Sequence, residues 1–349
     1  MYQKYYGLND IPFSLAPDPK YLFRTEGLLE VFANLQYGIE NGKGIVVVTG
    51  EVGTGKTTIL RSMLQSLDRS VLAAYIFNPI LATDEFFDLL RSELRIRAHP
   101  SKAATLRVLG NTLMSRQAQG LRTVLVVDEA HLLPPHLLEE IRLLSNFETN
   151  RDKLIQIIMC GQPELHDLLS QPELRQLKQR VSLKCSINPL TASETAEYIL
   201  WRLRVAGARS DGVFESVAIR LVHRISGGIP RIINNICDNA LLTGFGEAKA
   251  RITPAIIDEV SRILDLTPIS SGHSSEPDDD RIPHFDSSKT ERDSKSRPSN
   301  VLPIRPETNW SDGHGDPKTA RFAIHSQEQD DPLAAVKFFQ RVRVKRSAG

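Results

Sequence analysis

Residues Gly50–Thr57 read Gly-Glu-Val-Gly-Thr-Gly-Lys-Thr and fit the phosphate-loop pattern G-x-x-x-x-G-K-[ST] at every fixed position. No other feature limits the fold as tightly, because such a loop is built between a buried strand and the start of a helix. Both are present: the apolar, β-branched run Ile45–Val48 precedes the loop, and Thr58–Leu67 reads as a helix. Loop N–H groups turn inward around phosphates, so glycine is needed wherever a Cβ would collide. Gly50, Glu51, Val52, Gly53, Thr54, Gly55, Lys56, Thr57 and Thr58 are therefore the expected nucleotide-binding set. Lys56 is expected to reach the β- and γ-phosphates and Thr57 to ligate Mg²⁺, while the helix offers its positive end to the anion. The pattern points to a nucleoside triphosphate site, with ATP and Mg²⁺ as the expected ligands.

A second buried-strand pattern, Val124–Val127, ends in Asp128-Glu129. A carboxylate at the carboxyl end of a parallel strand beside a phosphate loop is placed to hold the cation, which assigns Asp128 to Mg²⁺. Glu129 follows it and is placed to polarise an attacking water. Lys56 and Asp128 are 72 residues apart, which leaves room for a further strand. Val71–Phe77 supplies it, and helical stretches from about Thr83 and Ser101 cover it. An inserted strand with a glutamate beside the aspartate points to a hydrolysing motor or remodeller, not a kinase.

The 349 residues exceed one ordinary domain, and an apolar share of 41% supports a sizeable core. A net charge of +1 gives no global field toward nucleic acid or membrane. Cys160, Cys185 and Cys237 are widely spaced within apolar segments and read as reduced core cysteines. No signal-peptide pattern and no run of about 20 apolar residues is visible, so a cytoplasmic location is expected.

The expected fold class is α/β, in four regions. A nucleotide domain over residues 1–190 has strands near 45–49, 71–77, 123–127, 154–160 and 181–187, forming a parallel sheet with helices on both faces. A small all-helical lid follows over 191–266. Its signals are a capping box at Thr191 and Glu194, a stop at Gly227-Gly228, a start at Pro230, and an N-cap Thr253 before Pro254. Residues 267–331 are rich in Ser, Pro, Asp and His and read as a disordered tail. The segment 332–349 regains an apolar stripe of Leu333, Val336, Phe339 and Val342, beside Lys337, Arg341, Arg343, Lys345 and Arg346. That stripe suits a weak peripheral contact with an anionic membrane, such as the inner membrane, or a partner's groove.

An α/β nucleotide domain followed by a helical lid is the arrangement of AAA+ ATPases. Gly228-Ile229-Pro230-Arg231 resembles the sensor-2 motif of that superfamily. The resemblance implies that Arg231 reaches the γ-phosphate from the lid, so that hydrolysis changes the angle between the two domains. Gln162, just after the fourth strand, takes the place of sensor 1. Arg180, before the strand Val181–Ile187, takes the place of an arginine finger that enters a neighbouring subunit, with Arg175 as the alternate. A homo-oligomer is therefore expected.

The family is narrowed by Tyr6-Gly7-Leu8, Pro12-Phe13, Leu15, Pro17-Asp18-Pro19, Tyr21-Leu22, Leu35 and Tyr37-Gly38-Ile39. Together with Asp128-Glu129-Ala130, Leu143–Glu148 and Gly161-Gln162-Pro163-Glu164-Leu165, they closely resemble the ExeA/GspA-like ATPases of bacterial secretion and exopolysaccharide export loci. The resemblance covers residues 1–266 and implies a protein partner in a membrane-associated export assembly. It also suggests that Pro12, Phe13 and Tyr37 pack beside the adenine; the residues alone fit equally a hydrophobic strap across the sheet edge. Two departures stand out. Leu28 replaces the family's common histidine, and the polar tail lacks the membrane helix through which better-known members continue.

Asp128-Glu129-Ala130-His131 also spells a helicase signature, but helicases of that class carry two nucleotide domains and this chain has one. His131 is read as the start of the post-strand loop. The stronger alternative is a DNA-associated AAA+ ATPase of transposition-helper or origin-recognition-like type. It is less favoured because no helix-turn-helix or basic surface is evident. A nucleotide-gated scaffold without turnover is disfavoured by Glu129.

Overall fold

Five short aliphatic runs, each bounded by polar or turn residues, pair into one parallel sheet: β1 Ile45–Gly50, β2 Val71–Ile76, β3 Arg122–Val127, β4 Gln156–Gly161 and β5 Val181–Ile187. Their order is β2-β3-β4-β1-β5. The computed structural model describes residues 1–16, 18–77, 81–97 and 101–266, all within one compact unit. The tail and basic segment expected over 267–349 lie outside the described residues. Ile45–Val48, Val124–Val127 and Ile157–Cys160 are buried throughout, which is why these runs are uniformly apolar. β5 is an edge strand and alternates: Ser182, Lys184 and Ser186 are exposed while Cys185 and Ile187 are buried. The fourth strand begins two residues later than expected. Leu154 is buried, but its N–H is used by the Phe147 carbonyl in a turn, so the ladder starts at Gln156.

Because all strands are parallel, their carboxyl ends share one edge, where a doubly wound sheet presents its ligand crevice. The loop after β1, the acidic pair after β3 and the segment after β4 therefore meet there. Helices Glu26–Glu40, Lys56–Ser66, Thr83–Glu93, Lys102–Ala118 and Pro135–Leu144 belong to this part. The cysteines are free and buried.

The helices Ala192–Val205, Ser216–Ser226, Pro230–Gly246 and Pro254–Ile263 form a second apolar cluster. The capping box closes the first of them: Thr191 Oγ1 accepts from Glu194 N at 3.2 Å and Glu194 Oε2 accepts from Thr191 N at 2.9 Å. Thr253 stands at the N-cap of the last helix, but its side chain makes no capping bond. Pro254 at the first position has no N–H, so one donor fewer needs a cap.

The N-terminal segment departs from the expectation. The expected nucleotide domain includes residues 1–23, yet Tyr2, Leu8, Phe13 and Tyr21 are buried in the lid cluster. Phe13 meets Phe214 edge-on with ring centroids 6.0 Å apart, and Asn9 N donates to Ala206 O at 2.7 Å. The strap therefore crosses the lid, not the sheet edge, and the Phe13 ring is buried in lid packing. Tyr37 lies elsewhere, exposed on its helix with Lys43 Nζ 5.2 Å from the ring centroid.

Arg202 ties the strap down. Its buried guanidinium donates to Pro12 O, Ser14 O, Asn234 Oδ1 and Tyr198 Oη, and lies 4.7 Å from the Tyr21 ring centroid. Arg202→Met keeps the aliphatic stem and strips donors from buried acceptors, at about 1–3 kcal/mol for each one left unpaired. Hydrogen exchange over residues 8–16 is expected to accelerate at least tenfold while β1 stays protected. Unchanged exchange there would mean that Arg202 does not hold the strap.

Candidate nucleotide site

The loop leaves β1 at Gly50 and enters the helix Lys56–Ser66 through Gly55. Thr54 closes the turn, its Oγ1 donating to Glu51 O at 2.8 Å. Gly53 has φ +83°, and a Cβ there would stand 2.7 Å from Arg231 Cβ and 3.1 Å from Ile229 Cγ2. Both backbone conformation and space thus demand glycine at this position. Lys56 is 6% exposed, and its Nζ donates to Gly50 O at 2.8 Å and Glu51 O at 3.0 Å. A buried ammonium with only carbonyl partners is the counterpart of an anion. Thr57 and Thr58 are half-buried on the first turn, whereas Glu51 and Val52 are exposed.

Thr57 Oγ1 donates to Asp128 Oδ2 at 2.9 Å, which joins the loop to the end of β3. The same oxygen accepts from Tyr75 Oη at 2.7 Å, and Asp128 Oδ1 accepts from Glu129 N at 3.0 Å. Asp128 is 3% exposed. Burial, then the Asp128 charge, hold the Tyr75 hydroxyl well above its ordinary pKa, so it remains a donor. Among the described residues no three His, Cys, Asp or Glu side chains cluster as a metal cage. Thr57 and Asp128 are the kind of oxygen set that Mg²⁺ uses when phosphates and water complete its octahedron. The residues present fit the ion and the nucleotide.

Glu129 adopts the left-handed conformation with φ +51°. Its carboxyl pKa is raised, first by burial and then by Asp128, while Lys56 and His131 act in the opposite direction. Gln162 is half-buried; its backbone N–H donates to His131 Nδ1 at 3.3 Å, and its side chain makes no hydrogen bond to the loop. Arg231 touches the loop through its backbone, with N donating to Gly53 O at 3.2 Å, and its side chain is exposed. Arg180 is far from this cluster. In the ladder Val181 pairs with Ile45 while Ile187 pairs with Gly50, so Arg180 stands at the amino edge, about 20 Å of strand from the loop. Arg180 is half-buried, and Arg175, which is exposed, precedes it on the short helix Arg175–Lys178. Arg180 is thus too far along the strand to reach its own loop.

Neither Tyr75 nor the Gly53–Arg231 contact belongs to a local sequence motif. The available signal for Tyr75 was one hydroxyl-bearing ring in an otherwise aliphatic strand, Val71–Ile76.

A family profile described as an AAA domain matches residues 39–169. General secretion pathway protein A of Aeromonas hydrophila is 42% identical over 280 residues, covering 78% of this chain and 51% of that protein. The chain belongs to the ExeA/GspA-like AAA+ family. It spans about half the length of that relative. The ATP-dependent target DNA activator B of Escherichia phage Mu is 22% identical over 268 residues, covering 76% of this family member and 78% of the phage protein. Among solved structures, Cdc6p of Pyrobaculum aerophilum superposes with a TM-score of 0.56 at 18% identity, covering 72% of this chain and 70% of the other. The ORC2 protein of Aeropyrum pernix gives 0.54 at 15% identity, covering 75% and 73%. Both carry the AAA+ fold. No helix among the described residues is long and apolar enough to cross a membrane.

Proposed function

We propose that this AAA+ chain binds ATP with Mg²⁺ at Gly50–Thr58, hydrolyses it as a homo-oligomer, and drives assembly or remodelling of a bacterial envelope secretion or polysaccharide export system. The observation that carries the reading is the buried Lys56 ammonium, hydrogen-bonded only to two loop carbonyls, beside the Thr57–Asp128 bond. When bound, the nucleotide supplies the phosphoryl group and Mg²⁺ neutralises the charge developing on it. Lys56 holds the β- and γ-phosphates, Thr57 and Asp128 hold the ion, and Tyr75 fixes the Asp128 carboxylate. Glu129 takes a hydrogen bond from water and orients it for attack. Arg231 would approach the γ-phosphate from the lid and Gln162 from the end of β4. Support for this choice of assembly comes from the Aeromonas relative, which is named as a general secretion pathway protein. In this proposal the site works in the cytoplasm, with a weak peripheral membrane contact made through the basic segment 332–349.

A second reading, an ATPase that assembles on DNA, is supported by likeness to the phage Mu activator along 76% of this chain. Turnover by the purified chain tests both. Lys56-dependent hydrolysis unaffected by duplex DNA supports the first reading; severalfold stimulation by DNA supports the second. Absence of turnover in Mg²⁺ and ATP would sink both.

Arg180 lies at the sheet edge remote from its own loop, and therefore acts, in this proposal, on the neighbouring subunit's nucleotide. An arginine supplied in trans is worth about 10³-fold or more where it operates. Specific activity is expected to rise with protein concentration. Arg180→Ala and Lys56→Ala chains, each inactive alone, should regain activity on mixing, since one contributes the intact loop and the other the arginine. Constant specific activity across dilution, with a monomer by light scattering, would remove the trans arginine.

A further inference from the structure

His131 sits in the turn Ala130–Leu132 with its side chain 8% exposed. Its Nδ1 stands 3.3 Å from Gln162 N, whose N–H points at it, and 3.5 Å from Glu129 Oε2. Gly161 closes the pocket behind the ring: a Cβ there would be 3.2 Å from Nδ1 and 3.1 Å from His131 N. Glu129 Oε2 is itself buried and accepts no hydrogen bond from the described residues.

One ring nitrogen cannot serve both neighbours. With a lone pair on Nδ1 the ring accepts from Gln162 N–H and offers Glu129 nothing. With a proton there it donates to Glu129 and leaves the Gln162 N–H unpaired. Glu129 meanwhile holds a left-handed backbone, fixed by the Asp128 Oδ1 bond to its N–H and by Leu132 N donating to its carbonyl at 2.9 Å. With the backbone so fixed, its carboxylate position is left to side-chain torsions and to the groups beside it.

We propose that His131 is a positioning residue for Glu129: a protonated Nδ1 holds the carboxylate when Gln162 withdraws, whereas the Gln162 N–H, by occupying that nitrogen, leaves the carboxylate unbonded and free to turn toward water. The segment ending β4 thereby sets where the carboxylate points. This rests on the reading of Glu129 as the group that orients water.

Three variants separate the ring's nitrogen from its volume. His131→Phe keeps the ring and removes both nitrogens. His131→Asn puts an amide atom on Cγ, where Nδ1 is attached, whereas His131→Gln puts it one bond further out. Phe and Gln are expected to lower kcat about tenfold with KM for ATP within about twofold, and Asn to keep most of the rate. A second readout needs no turnover: long-range ¹⁵N–¹H correlation of the ring in the nucleotide-free full chain should show the Nε2–H tautomer, with Nδ1 accepting. Wild-type kcat in both Phe and Gln, or an Nδ1–H tautomer in the free protein, would overturn the proposal. If the wild-type chain does not hydrolyse ATP, the reading of Glu129 fails separately, and the tautomer still decides whether Nδ1 accepts from Gln162.

Discussion

Glu129→Gln is expected to bind ATP about as well as the wild type and to turn it over at least about a hundredfold more slowly. The amide retains size and one acceptor oxygen but loses the charge that orients and polarises water. Lys56→Ala should do the reverse, weakening nucleotide binding itself, because it removes the buried ammonium at the centre of the loop. Stability gives an independent check. Burial, with Asp128 as the next cause, raises the Glu129 pKa, so the folded chain binds this proton more tightly than the unfolded chain does. Ionisation therefore costs stability, and that cost is complete above the raised folded-state pKa and absent below the unfolded one. At neutral pH the uncharged amide should leave Tm unchanged or slightly higher. A catalytic loss with no loss of Tm would assign the effect to chemistry. Wild-type turnover in Glu129→Gln would show that the carboxylate does not act on water.

The parts of the site that sequence makes legible are those where local backbone dictates residue type. Gly50–Thr57 is readable because a loop of inward N–H groups tolerates few side chains. β1, β3 and β4 are readable because a strand covered on both faces is uniformly aliphatic. Asp128 and Glu129 follow from where β3 ends. What sequence leaves hidden depends on pairings between remote segments. Arg202 reaches Pro12 across 190 positions and Tyr2 reaches Asp238 across 236, and no periodicity in residues 1–23 records which cluster completes them. Their apolar pattern fits either the sheet edge or the lid; only the complementary groups on the lid decide. Arg231 shows a subtler limit. Gly-Ile-Pro-Arg located it on the lid, but the contact made to Gly53 is through its backbone N–H, which any residue except proline possesses.

That contact depends on a second glycine, and Gly228→Ala is expected to be the most damaging single-methyl change in the described chain. Gly228 has φ +74°, and an added Cβ would stand 1.9 Å from Leu190 O and 2.9 Å from Leu190 N and C. Leu190 N also donates to Gly228 O at 2.9 Å. The methyl would therefore meet backbone, not the yielding tip of a side chain, exactly where the segment after β5 passes the start of the Arg231 helix. Gly120 supplies the control, with φ +71° and nothing within 4 Å of an added Cβ. Gly120→Ala pays only the left-handed penalty of about 1–2 kcal/mol. Gly228→Ala adds displacement of Leu190 and loss of its hydrogen bond, for about 3 kcal/mol or more in all. At about 2–4 °C per kcal/mol for a chain of this size, Tm should fall by about 6–12 °C. Shifting Gly228 also withdraws Arg231 from Gly53, so nucleotide affinity should drop in Gly228→Ala and not in Gly120→Ala. Equal thermal shifts in the two variants would mean that Leu190 yields at little cost. Unchanged nucleotide affinity in Gly228→Ala would mean that the Arg231–Gly53 contact is not part of how the lid grips the loop.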